Sequence, residues 1–505
     1  MISPPAHTPD PIGTAGPGVG ARQRAGWVLG PALLAATLLL PAPPGLEPEG
    51  WRTAGVAALM AIFWIAEPIP IPATALLPLV LFPALGLGDI REAAAPFANP
   101  IVFLFLGGFV IALAMERWNL HRRVAIRLLG VIGTSPARII LGVLVSSALI
   151  SMWVSNTATA MMMLPIALSI ARLLPHDATS RELREFRIAL LLAVAYGATT
   201  GGMGTLIGTP PNALLAAYMS DIYGVQIGFG QWMLLGVPVV AVTLPIVHLA
   251  LTRLLFRPGR APLPGADDLI AREGRQLGPL SRGEIVVTIV FSATALCWVF
   301  QPLLARVAPL VSDTTIAIAG ALLLFMIPVD ARRGEFAMTW EATKSVPWGV
   351  LLLFGGGLSL AGAIERHGLA RYLGDAAASL DMLPLLLLVS LVCFGILLLT
   401  ELTSNTATAA TFLPIAGALA LSTGQNPLLF MIPTALAANC SYMMPVGTPP
   451  NAIVYGSGYV PLPQMARAGM VLNVALVPII VGLVLLLGGF VFGIERDILP
   501  PWAAL

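Results

Sequence analysis

Charge is what this chain has least of. Of 505 residues, 27 are Lys or Arg and 25 are Asp or Glu, together 10%, and Lys344 is the sole lysine. A soluble chain carries about a quarter charged residues, so a water-facing surface around a core of this size is excluded. The net charge of +2 matters less than its placement. There is no basic tract interleaved with aromatics, which excludes a nucleic-acid partner. The three cysteines, Cys297, Cys393 and Cys440, lie in apolar segments without CxxC spacing. They are expected to be buried free thiols rather than a disulfide or metal framework.

The apolar residues fill the gap. They make up 57% of the chain, and mean hydropathy is +0.88. Runs of about 20 residues, enough to cross a bilayer, recur along the length, interrupted by Pro and Gly as membrane helices tolerate. Residues 1–24 hold five Pro and four Gly and read as a disordered cytoplasmic tail. The apolar stretch from Trp27 to Leu40 reads as a first span rather than a signal peptide, because Pro41 to Pro44 offers no small-x-small cleavage site. Spans are expected at about 27–43, 51–66, 72–88, 100–116, 188–219, 231–255, 284–305, 313–328, 347–364, 427–456 and 467–493, with hairpins at 136–171 and 383–421. The expected fold is all-α and polytopic, with 11 crossings and two re-entrant helical hairpins.

Arginine placement orients this fold. The loop Arg117 to Arg138 holds five Arg, Arg172 to Arg187 four, and the linker Arg253 to Arg282 six. All three share one face if the segment between the first two enters and returns. By the positive-inside rule that face is the cytoplasm. The N-terminus is then cytoplasmic and the C-terminus outside, in the inner (cell) membrane. The loop Arg366 to Asp381 has two Arg against two Asp and falls outside.

The polar residues that remain are repeated. Ser155-Asn156-Thr157-Ala158-Thr159-Ala160 recurs as Ser404-Asn405-Thr406-Ala407-Thr408-Ala409, and Gly208-Thr209-Pro210-Pro211-Asn212-Ala213 as Gly447-Thr448-Pro449-Pro450-Asn451-Ala452. Phe105 aligns with Phe354, Glu116 with Glu365 and Ser155 with Ser404, all at an offset of 249. An odd number of crossings separates equivalent points, so the second copy is upside down. Inverted repeats with paired helix breaks place one site at the midplane with two symmetric exits.

Ser, Asn and Thr are N-cap residues. Each Ser-Asn-Thr sits mid-hairpin, so the second arm starts there with free N–H groups and its positive dipole end, an anion site. The first arm ends at the same tip with free carbonyls that suit a cation. Ser151 and Thr400, four residues earlier, add a hydroxyl on the same face. Each Gly-Thr-Pro-Pro unwinds a span, and hard cations want such carbonyl, hydroxyl and amide oxygens. No Lys, Arg, Asp or Glu lies in 139–171 or 188–220, and only Glu401 in 382–466. A dianion bound there has no side-chain countercharge, and burying it bare costs many kcal/mol. Bound cations are the remainder, which implies cation-coupled anion transport. Glu401 is open between a titrating role and a local bond near the tip. Glu116 and Glu365 read as anchors, and Met161 to Met163 as packing.

These residues resemble the divalent anion–sodium symporter family, which carries dicarboxylates, citrate or sulfate. The resemblance rests on both Ser-Asn-Thr tips, both Gly-Thr-Pro-Pro breaks and Thr400-Glu401-x-x-Ser-Asn-Thr-Ala-Thr, and covers about residues 50–495. It implies a homodimer of scaffold and elevator-like transport domains. Scaffold would take 25–135 and 283–382. The transport domain would take 136–256 and 383–505, with a cytoplasmic linker at 257–282. The resemblance implies at least two Na⁺ sites. The first is Ser151, Ser155, Asn156 and Gly208; the second is Thr400, Ser404, Asn405 and Gly447. Substrate carboxylates would meet Ser155, Asn156, Thr157, Ser404, Asn405 and Thr406, with Thr209, Pro210, Thr448 and Pro449 lining the site. Two unsubstituted Ser-Asn-Thr motifs favour a C4 dicarboxylate such as succinate, malate or fumarate. A sulfate or tricarboxylate symporter, a sodium-independent dicarboxylate exchanger and an oxyanion efflux permease remain alternatives. An enzyme is not expected, since a metal cluster or a nucleophile with its base is missing from the core.

Overall fold

A computed structural model describes residues 20–173, 181–259, 263–377, 383–495 and 498–503. Most of the expected tail, 1–19, and parts of three expected loops, 174–180, 260–262 and 378–381, lie outside the described residues. A helix already runs over Ala21–Leu39, so Arg22 and Arg24 stand in its first turn. Arg22 donates to the Ile65 carbonyl and pairs with Glu67 at 3.6 Å, tying this helix to the end of its neighbour Pro48–Ala66.

Helix starts follow local rules. Pro48, Pro100, Pro136, Pro210 and Pro449 each occupy a first helical position, where the missing N–H costs nothing. Ser281 and Glu284 form a reciprocal capping box at the start of Arg282–Val299. Among the described residues, five helices are long and apolar enough to cross a membrane: Ile90–Arg117, Phe229–Leu254, Arg282–Val299, Trp348–Arg366 and Leu462–Phe492.

Several elements depart from the sequence reading. Expected span 72–88 is split into Ile71–Thr74 and Leu77–Leu85, around prolines at 72, 78 and 83. The stretch 284–305 ends its helix at Val299 and resumes over Gln301–Val307. The fold is not wholly α, because Pro328–Asp330 pairs antiparallel with Glu335–Phe336, turning through Gly334 at φ 65°. Three of the four expected loops and linkers also carry helices of their own: Leu120–Ile132, Ala266–Gln276 and Leu369–Ala377. Arg123 holds the linker in place. Its guanidinium donates to both Glu284 carboxylate oxygens (2.6 and 3.1 Å) and to the carbonyls of Leu277, Gly278 and Pro279.

Two pairs of short helices flank the expected turns. The first is Pro136–Ser151 and Asn156–Ala171, the second Leu385–Thr400 and Asn405–Ser422. At 1.5 Å per residue, a 16-residue arm is about 24 Å long, short of the roughly 30 Å hydrocarbon core. Both long spans with Gly-Thr-Pro-Pro are interrupted. Arg181–Gly202 gives way to Pro210–Tyr223, and Leu428–Ala438 to Pro449–Gly456. Backbone-close packing joins the first hairpin to its span. An added Cβ at Gly197 would stand 2.5 Å from the Leu144 carbonyl, and one at Gly201 2.1 Å from that of Ala148, the small-residue approach typical of membrane helices.

The two copies interlock. The helix after the first break, Pro210–Tyr223, packs on the second hairpin's Asn405–Ser422. The helix after the second, Pro449–Gly456, packs on the first hairpin's Asn156–Ala171. The exchange brings the two tips and two breaks to one place.

Candidate functional site

Both tips and both breaks face one cavity of about 700 Å³. Twelve of the fourteen residues expected at the site line it: Ser155, Asn156, Thr157, Gly208, Thr209, Pro210, Ser404, Asn405, Thr406, Gly447, Thr448 and Pro449. The other two, Ser151 and Thr400, are fully buried and support the asparagines. Ser151 Oγ donates to Asn156 Oδ1 over 2.6 Å, and Thr400 Oγ1 to Asn405 Oδ1 over 2.8 Å. Thr400 also lies 2.7 Å from the Ala438 carbonyl, so its single proton serves two competing acceptors.

The caps differ between copies. Ser155 Oγ accepts from the Ala158 N–H at 3.2 Å, as the motif predicts. Ser404 stands at the cap position of its helix without a side-chain cap bond. The expected symmetry of the two serines therefore holds for position and not for bonding.

The breaks are held open by their own asparagines. Asn212 Nδ2 reaches the carbonyls of Gly202, Met203 and Thr205 at 3.2, 3.4 and 2.8 Å. Asn451 Nδ2 reaches those of Ser441 and Met444 at 3.2 and 3.1 Å. Ser441 and Met444 follow Gly202 and Thr205 by 239 residues, as Asn451 follows Asn212. One side chain thus satisfies several unwound carbonyls, which would otherwise be unpaired in a buried setting.

The first half-site fits a small cation. A Cβ added at Gly202 would lie 2.7 Å from Asn156 Oδ1 and 3.1 Å from the Gly208 carbonyl. One amide oxygen and one backbone carbonyl oxygen therefore converge on a point next to Gly202, and both are hard, uncharged donors. In the second copy, Ser441 stands where Gly202 stands in the first. A Cβ at Gly447 would be 1.9 Å from Ser441 Oγ and 3.2 Å from the Glu401 carbonyl.

Sequence reasoning missed Ser441, together with Thr205, Asn439 and Asn473. Thr205 Oγ1 donates to the Met152 carbonyl (2.5 Å) and accepts from the Gly208 N–H (3.0 Å), pinning the first tip to its break. In the second copy Glu401, the repeat equivalent of Met152, does this instead. Its carboxylate accepts from Ser441 Oγ, the N–H groups of Tyr442, Met443 and Met444, and Asn473 Nδ2, at 2.7 to 3.0 Å. Glu401 is thus bonded locally at the second break. Asn473 was visible as a polar residue inside an apolar run, a signal left unread. Asn439 had no such signal, since its repeat equivalent is Thr200.

Other readings need correction. Glu116 lines the cavity with Glu67, and among the described residues these are the only charged ones on its wall. Met161 also lines it and is 54% exposed, so of the three methionines it is Met163 that packs fully. Cys393 and Cys440 are buried free thiols, while Cys297 is half-buried. Apolar walls come from Phe109, Leu113, Val154, Ile207, Val350 and Val446.

Comparison with known proteins places this geometry in a family. The model of the sodium:sulfate symporter transmembrane region matches residues 23–494. The chain is 43% identical to a sodium-dependent dicarboxylate transporter, SdcS, of Staphylococcus saprophyticus, over 94% of this chain and 93% of the relative. SdcS of a bovine Staphylococcus aureus strain is also 43% identical over the same shares. Among solved structures, the fold resembles MtrF of Neisseria gonorrhoeae (TM-score 0.54, 12% identity, 92% of this chain and 94% of that one). It also resembles the YdaH transporter of Alcanivorax borkumensis (TM-score 0.52, 12% identity, 94% and 99%). A chain with this helical membrane fold, matched by that model over nearly its whole length, belongs to the sodium:sulfate symporter transmembrane family.

Proposed function

We propose that this chain couples sodium entry to uptake of a divalent anion, and that the anion is a C4 dicarboxylate such as succinate, malate or fumarate. One observation carries the reading. Asn156 and Asn405 both line a single cavity, each with its Oδ1 backed by a hydroxyl one turn earlier, and among the described residues no cationic side chain stands on the wall. A carboxamide offers an oxygen to Na⁺ and N–H groups to a carboxylate. Each tip helix adds about half a positive charge, which leaves a dianion short of balance unless cations bind with it. The names of the Staphylococcus relatives support the same choice of anion.

The finer architecture belongs to this proposal. Arms too short to cross support two re-entrant hairpins beside 11 spans. In that reading residues 136–256 and 383–505 move as the transport domain against a scaffold of 25–135 and 283–382, in a homodimer, with an N-terminus inside and C-terminus outside. The cavity's lining includes exposed Glu67 and Ser345, both in connections that this topology puts on the cytoplasmic side, which supports an inward-facing state. Two Na⁺ sites follow, Ser151, Ser155, Asn156 and Gly208 for one and Thr400, Ser404, Asn405 and Gly447 for the other.

Uptake of labelled succinate into proteoliposomes tests the reading. Accumulation with external sodium and none with choline is expected. Uptake indifferent to sodium would favour exchange or passive efflux. Competition by sulfate but not malate would reassign the anion.

A further inference from the structure

Thr209 and Thr448 are equivalent by repeat and both line the cavity, yet their hydroxyls are wired differently. The difference starts at Asn439, which is 1% exposed. The Asn439 carboxamide faces three groups: the Ala435 carbonyl (3.2 Å), Asn212 Oδ1 (3.1 Å) and Thr209 Oγ1 (2.5 Å). The Ala435 carbonyl only accepts, so the amide nitrogen must turn toward it. Asn212 confirms the sense, because its own nitrogen is spent on three carbonyls and only its oxygen faces Asn439. Asn439 Oδ1 is left for Thr209, and the Thr209 hydroxyl must donate to it. Its proton is committed, and only lone pairs face the cavity.

Thr448 is the reverse. Its Oγ1 accepts a long bond from the Asn451 N–H (3.4 Å), and among the described residues no acceptor takes its proton. Thr448 can donate to an anion, and Thr209 cannot.

We propose that Asn439 is a positioning residue that fixes Thr209 as an oxygen acceptor, so that Thr209 serves the sodium side of the site and Thr448 the carboxylate side. This rests on the sodium–dicarboxylate reading above and deepens it. The second copy of the repeat thereby sets the polarity of a residue in the first. Thr200, the equivalent of Asn439, reaches across in the other direction to the Tyr442 hydroxyl at 3.0 Å.

The test measures sodium half-saturation at saturating succinate, and succinate KM at saturating sodium, for the full chain in proteoliposomes. Thr209→Val should raise sodium half-saturation about five-fold or more and move succinate KM less than about two-fold, with Thr448→Val doing the opposite. Asn439→Ala should reproduce the Thr209→Val signature, and the double variant should be no worse than the worse single, the non-additivity of two groups in one bond. Additive losses overturn the proposal, as does an Asn439→Ala protein that loses only maximal rate and thermal stability. If Asn439→Ala fails to insert, the two valine variants still decide, because equal shifts in one constant overturn the division. Wild-type uptake without sodium dependence would instead sink the proposed function itself.

Discussion

Phe105 and Phe354 meet edge to face with ring centroids 4.9 Å apart, and both are fully buried. They are repeat equivalents, 249 residues apart. A residue can touch its own equivalent only where the pseudo-twofold axis passes between the copies. The same relation brings Asn156 and Asn405 to opposite sides of one cavity. The repeat is therefore expressed in the packing, and predictions for one copy carry a control in the other.

Asn156→Ala and Asn405→Ala are each expected to weaken sodium and succinate together. Each variant removes a cavity-lining amide; Ser151 loses its hydroxyl's acceptor, whereas Thr400 keeps the Ala438 carbonyl. That costs about 1–3 kcal/mol, or roughly 5- to 150-fold. Asp at either position keeps an acceptor for the hydroxyl but repels the anion, so it should spare sodium more than succinate. Sodium- and succinate-dependent thermal stabilisation, alongside uptake, reads both. Two alanine variants that fold and transport with wild-type sodium dependence would reduce the motifs to structural caps.

Glu401 is surrounded by donors. Gln there would aim an amide nitrogen at N–H or hydroxyl groups that now find an acceptor. Glu401→Gln should destabilise the purified protein by about 1–3 kcal/mol, the cost of stranding a buried donor. Thermal unfolding measures it. Met152→Gln, at the equivalent position of the first copy, should leave sodium dependence in place, because there Thr205 bonds the backbone of Met152.

The pH profile bears on the same residue. Succinate carboxyls titrate near side-chain values of about 4, and the dianion predominates only above roughly pH 6. Uptake at fixed total succinate should fall as pH drops toward 5. A steady rise on acidification would point to monoanion or proton-coupled transport and make Glu401 the suspect.

Much of the site was legible because the signals were local. Ser, Asn and Thr amid apolar residues cost free energy in lipid, so their duplication marked tips that the structure brings to one cavity. Unwinding at Gly-Thr-Pro-Pro followed from proline chemistry alone. What stayed hidden depends on contacts far apart in sequence. Asn439 sits 227 and 230 residues from its partners Asn212 and Thr209, and the Thr205–Met152 tie spans 53. The helix Ala266–Gln276 was missed for another reason. Its arginines were counted as loop charge, while its Asp267, Asp268, Arg272 and Arg275 also suit one face of a helix.

Orientation is open to direct labelling. Asp268 and Asp375 are exposed, on the proposed cytoplasmic linker and the expected outer loop respectively. In a cysteine-free background, Asp268→Cys should resist impermeant thiol reagents in intact cells, and Asp375→Cys should react. The reverse pattern would overturn both the topology and the inverted-repeat assignment.

The most direct test of the first cation site is a single methyl group. Gly202 ends the helix Arg181–Gly202 and is fully buried. A Cβ there would lie 2.7 Å from Asn156 Oδ1, 3.2 Å from Asn156 Nδ2 and 3.1 Å from the Gly208 carbonyl. It would stand where these oxygens converge. Gly202→Ala should therefore abolish sodium-dependent stabilisation through this half-site and cut uptake sharply. Overpacking one methyl costs about 1–3 kcal/mol, so the protein is still expected to insert and to unfold cooperatively. The control is built into the repeat. Ser441 occupies the equivalent position and already carries a side chain, bonded to Glu401 at 3.0 Å. Ser441→Ala keeps that Cβ and removes only the hydroxyl, so it should weaken sodium without eliminating it. Sodium titrations of thermal stability, run on both variants, separate the two. A Gly202→Ala protein with wild-type sodium affinity would show that the cation does not sit between Asn156 and Gly208.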